Sequence, residues 1–118
     1  MRRRLEEASV SLEVALTMPV VFVVIVLVLN AAVLARDALA VQGAAREGAR
    51  VAATGATDAE VAATVRGALG GGLAGVTVRP ARRVPGELVT VVVRIRSVAG
   101  VEVSGRAAAQ VEPAAADP

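Results

Sequence analysis

Polar and apolar positions divide this chain into three stretches. Residues 1–13 are mixed and charged. Val14 to Ala35 is an uncharged run of 22 residues, interrupted only by Thr17, Pro19 and Asn30. Beyond it, apolar positions recur with the spacing of regular elements. As a helix rising about 1.5 Å per residue, the uncharged run reaches roughly 33 Å, enough to cross a hydrocarbon core. It is therefore read as a transmembrane segment over 14–35. From Leu34 the apolar positions fall at Leu34, Ala38, Val41, Ala45, Ala49 and Ala52, an amphipathic stripe at helical spacing. The pattern predicts one long helix from about residue 9 to about residue 53, ending near Gly55. Pro19 lies early in the run, where a membrane helix tolerates a kink. Asn30 suits either the far interface or a bond to another helix.

A second helix follows. Thr57 and Glu60 form a capping box, with Val61, Val65, Ala68 and Leu69 as the buried stripe and Gly70-Gly71-Gly72 as the stop. Three strands are expected next: Val76–Val84, Leu88–Val98 and Val101–Val111. Pro85-Gly86 reads as a turn with proline at the fixed φ and glycine at the positive one, and Ala99-Gly100 as a second tight turn. Val89, Val91, Val93 and Ile95 should share one face, and Glu102, Ser104 and Arg106 should face water. Pro80 marks the first strand as an edge. The fold class is thus α+β: a long N-terminal transmembrane and amphipathic helix, a short second helix and a small three-stranded antiparallel sheet. The expected divisions are a tip at 1–8, the long helix at 9–54, an α+β domain at 55–112 and a disordered tail at 113–118.

Composition narrows this further. Hydrophobic residues make up 55% of the 118, yet Phe22 is the only aromatic, so the core must rely on close packing of Ala, Val and Leu. All 13 basic residues are Arg, and there is no Cys and no His. Thiol chemistry, disulfides and the usual transition-metal ligands are excluded. No nucleophile–base set or metal cluster is present, and Gly70-Gly71-Gly72 lacks the Lys and Ser/Thr of a phosphate loop. The reading is therefore non-enzymatic, with no cofactor, no metal and no small-molecule substrate. Arg79, Arg82, Arg83, Arg94, Arg96 and Arg106 read as a solvated face. With no aromatics for stacking, and Glu87 and Glu102 nearby, they do not indicate nucleic acid.

The lone acid at the head of the span, Glu13, has two readings. An acid suits a helix N-terminus because it complements the dipole. Alternatively the chain is processed. A cut between Ala8 and Ser9 makes Glu13 the fifth mature residue, on the same helical face as the new amine. That amine on one subunit can then offset the carboxylate of a neighbour at a lipid boundary.

Here the chain resembles the type IV pilins and pseudopilins, and within them the TadE-like proteins of tight-adherence (Tad) pilus systems. The motif E-F-A-L-x-x-P is matched by Glu13-Val14-Ala15-Leu16-Thr17-Met18-Pro19, with Val14 in place of Phe. The motif A-A-R-E-G-A-R is intact as Ala44-Ala45-Arg46-Glu47-Gly48-Ala49-Arg50. Ala8 stands where the family usually has Gly. The resemblance implies a pilin-like fold and a minor pilin or pseudopilin acting in pilus assembly and cell adhesion. Its implied partners are membrane lipid, other pilins or pseudopilins, the assembly platform and prepilin peptidase. It also implies a bacterial cell membrane location, single-pass, with a cytoplasmic N-terminus and an extracytoplasmic domain, and leaves open a place in the fibre, at its tip or only in the assembly machine. The clustered Arg2, Arg3 and Arg4 favour the same orientation.

Gly43, Ala44, Gly48, Ala49, Ala52 and Ala53 leave one helix flank thin enough for close approach. One side is expected to pack on the sheet and the other on neighbouring subunits. Arg46, Glu47 and Arg50 read as a solvated face. Two rival functions remain: a secreted domain behind a signal peptide cut at Ala38-Leu39-Ala40, and a single-pass scaffold unrelated to pili.

Overall fold

The computed structural model describes residues 2–72, 74–98 and 100–113. Helix α1 runs Arg2–Ala53, α2 runs Asp58–Ala68, and strands β1 (Gly75–Arg79), β2 (Leu88–Arg96) and β3 (Glu102–Gln110) form one antiparallel sheet in the order β1-β2-β3. The α+β architecture expected from the pattern is the one found. The chain divides into two compact units, Met1–Val33 and Leu34–Pro118.

The first unit is helix alone. It begins at Arg2, earlier than the expected residue 9, because Arg, Leu, Glu and Ala in the tip are all good helix formers. The helix continues through Pro19. Nearby, the Thr17 hydroxyl donates to the Glu13 carbonyl at 2.7 Å. Asn30 donates to the carbonyl of Val26 at 2.9 Å, so its amide is satisfied within its own helix.

In the second unit, the C-terminal part of α1 and all of α2 pack on one face of the sheet. The period-2 pattern of β2 places Val89, Val91 and Val93 in the core, each fully buried, against Val41, Val61 and Val65 from the helices. Burying each of these valines contributes on the order of 1.5–3 kcal/mol. The expected outward positions Glu102, Ser104 and Arg106 are exposed. Of the expected stripe on α2, Val61 and Val65 are buried, Leu69 is half-buried and Ala68 is exposed.

The capping box forms as expected. The Glu60 amide donates to the Thr57 hydroxyl at 3.3 Å, and the Thr57 amide to the Glu60 carboxylate at 2.8 Å. At the β1–β2 connection the Glu87 amide donates to the Val84 carbonyl at 3.0 Å, with Gly86 at φ +87°, the turn that Pro85-Gly86 predicts. Strand β1 is an edge strand but stops at Arg79, short of the expected Val84, because Pro80 has no N–H to continue the ladder. Strands β2 and β3 end slightly inside their expected limits, at Arg96 and Gln110. Ala99 of the expected second turn, and the expected tail beyond Pro113, lie outside the described residues.

Candidate functional site

The head of the apolar run supplies the first candidate. Ala8, Ser9 and Glu13 are exposed and lie within α1, with Ser9 and Glu13 one helical turn apart. The Ala8–Ser9 bond therefore sits in helix and not in an irregular tip. Val10, Glu13, Val14, Thr17, Met18 and Val21 border a shallow depression of about 300 Å³ on one helix face. Among the described residues, none pairs with the Glu13 carboxylate. The apolar side chains below it are bare: Leu16, Phe22 and Leu27 are each more than 60% exposed. In the most apolar 18-residue stretch of α1 no residue is buried, and the helix has the length and composition to cross a membrane. The Glu13 carboxylate and the apolar side chains below it are thus both uncovered among the described residues.

The second candidate, Ala44 to Arg50, belongs to the other unit and has a different character. Ala44, Ala45, Gly48 and Ala49 point into the core, while Arg46 and Arg50 are exposed. Glu47 accepts from Arg50 at 2.8 Å on the solvent side. The motif is a packing surface. A Cβ at Gly48 would stand 2.7 Å from Val65 Cγ2 and 3.2 Å from Val91 Cγ1, so Gly48 is where α1, α2 and β2 meet. Of the expectation that small residues would serve both this sheet and neighbouring subunits, the packing on the sheet is found. Of the six named, only Gly43 is exposed, with nothing within 4 Å of its Cβ position.

Other fastenings were not read from the sequence. The Gln42 amide donates to the Arg106 carbonyl at 2.8 Å and accepts from the Arg106 amide at 3.2 Å, closing part of the free edge of β3. Beside it, a Cβ at Gly105 would fall 2.9 Å from the backbone of Val41 and Gln42. A glycine inside a strand was the available signal for that approach. Ser97 donates to Asp37 at 2.7 Å, tying the end of β2 to α1. Arg83, expected in a solvated basic face, is instead only 10% exposed. It donates to the Ala56 carbonyl and, at 2.6 Å, to Asp58. It clasps the α1–α2 link because the bend after Pro80 turns it inward.

Thus both sequence motifs lie on α1, one on a bare face and one in a core. Residues 8–50 match the family model described as TadE-like protein. The matched segment spans both motifs, and the resemblance drawn from them is borne out there. No curated protein and no solved structure matches the chain. The match over this segment suggests involvement in the Tad pilus system; the TadE-like family is structural and not known for enzymatic activity. Together with the long apolar helix, it points to a pilus-related protein with a single-pass membrane anchor. Other components of the pilus system are its expected contacts.

Proposed function

We propose that this chain is a minor pilin or pseudopilin that acts in assembly of a Tad-type pilus. The stretch 14–35 holds the subunit in the membrane, with the N-terminal tip cytoplasmic and the sheet domain outside. Prepilin peptidase cuts between Ala8 and Ser9, and the tip unwinds locally to present that bond. The new Ser9 amine of one subunit meets Glu13 of another as subunits enter the fibre or its initiating complex. The observation that carries this reading is the Glu13 carboxylate, unpaired among the described residues at the head of an uncovered apolar helix. Buried beside lipid alone it would be costly, and a cationic partner offsets that cost.

The test is Glu13→Ala in the native host. Membrane insertion and protein level should remain, while incorporation into pili, read by immunogold labelling and shearing, should be lost. Normal incorporation would sink the role. The signal-peptide alternative is disfavoured by the fold. A cut after Ala40 falls inside an unbroken helix, immediately before the fully buried Val41.

A further inference from the structure

The sheet has a second face that no helix among the described residues covers. On it the register places Arg79 beside Thr90, Arg106 beside Val92, Arg94 beside Ser104 and Arg96 beside Glu102. Thr77, Arg79, Thr90, Val92, Arg94 and Arg106 line a depression of about 460 Å³. Among the described residues, no carboxylate borders it. The nearest acid on that face is Glu102, 3.9 Å from Arg94 Nε. Arg79 and the Arg106 side chain have no ion-pair or hydrogen-bond partner among the described residues. Four arginines against one glutamate on this face is a surplus larger than the formal charge of +2 of the whole chain. The positive charge is concentrated on one surface, and its complement is an anion.

Donor chemistry narrows the anion. A carboxylate presents two oxygens and satisfies one guanidinium fork. A phosphoryl group presents three and accepts from several donors at once. Three guanidinium groups around one depression, with two threonine hydroxyls beside them, suit the phosphoryl group. The face has no aromatic side chain to stack a nucleobase. The apolar residue of the depression is Val92, half-buried in the sheet, so nothing projects there to enter a bilayer.

We propose that this face binds a linear phosphate polyanion, with Arg79, Arg94 and Arg106 gripping one phosphoryl group and Arg96 extending the contact along β2. The site is independent of Glu13 and of assembly.

The full-length chain in non-ionic detergent micelles, titrated with inorganic polyphosphate, should bind saturably, with shifts at the amides of Thr77, Val92 and Arg106. Arg79→Gln, Arg94→Gln and Arg106→Gln should each weaken binding about fivefold and make it less salt-dependent, by roughly 0.7 in the log–log slope per arginine. The double control Arg46→Gln/Arg50→Gln, away from this face, should bind as the parent does. Amide spectra report that each variant stays folded. Equal binding of poly-glutamate at matched charge would overturn the proposal in favour of an acidic protein partner. Equal response to phosphatidylglycerol-doped micelles would overturn it in favour of lipid. Weakening by the control as great as by the sheet variants would reduce it to general charge attraction.

Discussion

Three glycines in the second unit have different surroundings, and the same substitution should move stability in opposite directions. Gly43 lies on an exposed turn of α1 with open space around its Cβ position. Alanine there removes backbone entropy from the unfolded chain, so Gly43→Ala should stabilise by about 0.5–1 kcal/mol. Gly48 would gain the same helical preference but meets Val65 at 2.7 Å. Gly105 has no such compensation, and its neighbours at 2.9 Å include the Val41 and Gln42 backbone, which cannot step aside as a side chain can. Gly105→Ala should therefore destabilise by about 1–3 kcal/mol. Hydrogen exchange of the β2 amides measures all three. Slower exchange in Gly43→Ala and faster exchange in Gly105→Ala are the expected signs, with Gly48→Ala between them. A Gly105→Ala protein that exchanges like the parent would mean that α1 does not press on β3 as described.

At the scale of elements, local rules carried far. The capping box, the Pro85-Gly86 turn, the valine face of β2 and the end of α1 before Gly55 all depend on residues within a few positions of one another. Those were legible. What was not legible joins distant positions: Gln42 with Arg106, Asp37 with Ser97, and Arg83 with Ala56 and Asp58. Nothing in a list of arginines distinguishes the one that turns inward, because the bend after Pro80 decides it. The start of α1 was missed for another reason. Charged residues in the tip suggested a polar lead-in, yet they are strong helix formers. The sequence motifs split likewise: their positions were legible, but the inward aim of Ala44 to Ala49 depended on where the sheet lay. Because the box on α2 is local, its contribution can be isolated. Thr57→Ala should cost about 1 kcal/mol, seen as faster exchange of the first-turn amides of α2, with Val93 much less affected. Uniform loss of protection across the sheet would show instead that α2 and the strands unfold together.

For the whole molecule, the absence of lysine makes the proposed assembly contact directly observable. The chain's only primary amine is its N-terminus. A zero-length carbodiimide reagent applied to native membranes should join the Ser9 amine to Glu13 of another copy or of a related subunit, and peptide mass spectrometry should find that isopeptide. Glu13→Gln should abolish it; an amine still linked elsewhere at equal yield would remove Glu13 from the contact. The core of the second unit leads to a different expectation. It is built from valine and alanine, and both methionines, Met1 and Met18, fall in the other unit, while Cys, Trp, Tyr and His are absent from the chain. Those are the side chains that peroxide and hypochlorous acid attack most readily. The valine-packed unit offers such reagents almost nothing to oxidise, so its packing should outlast them chemically intact.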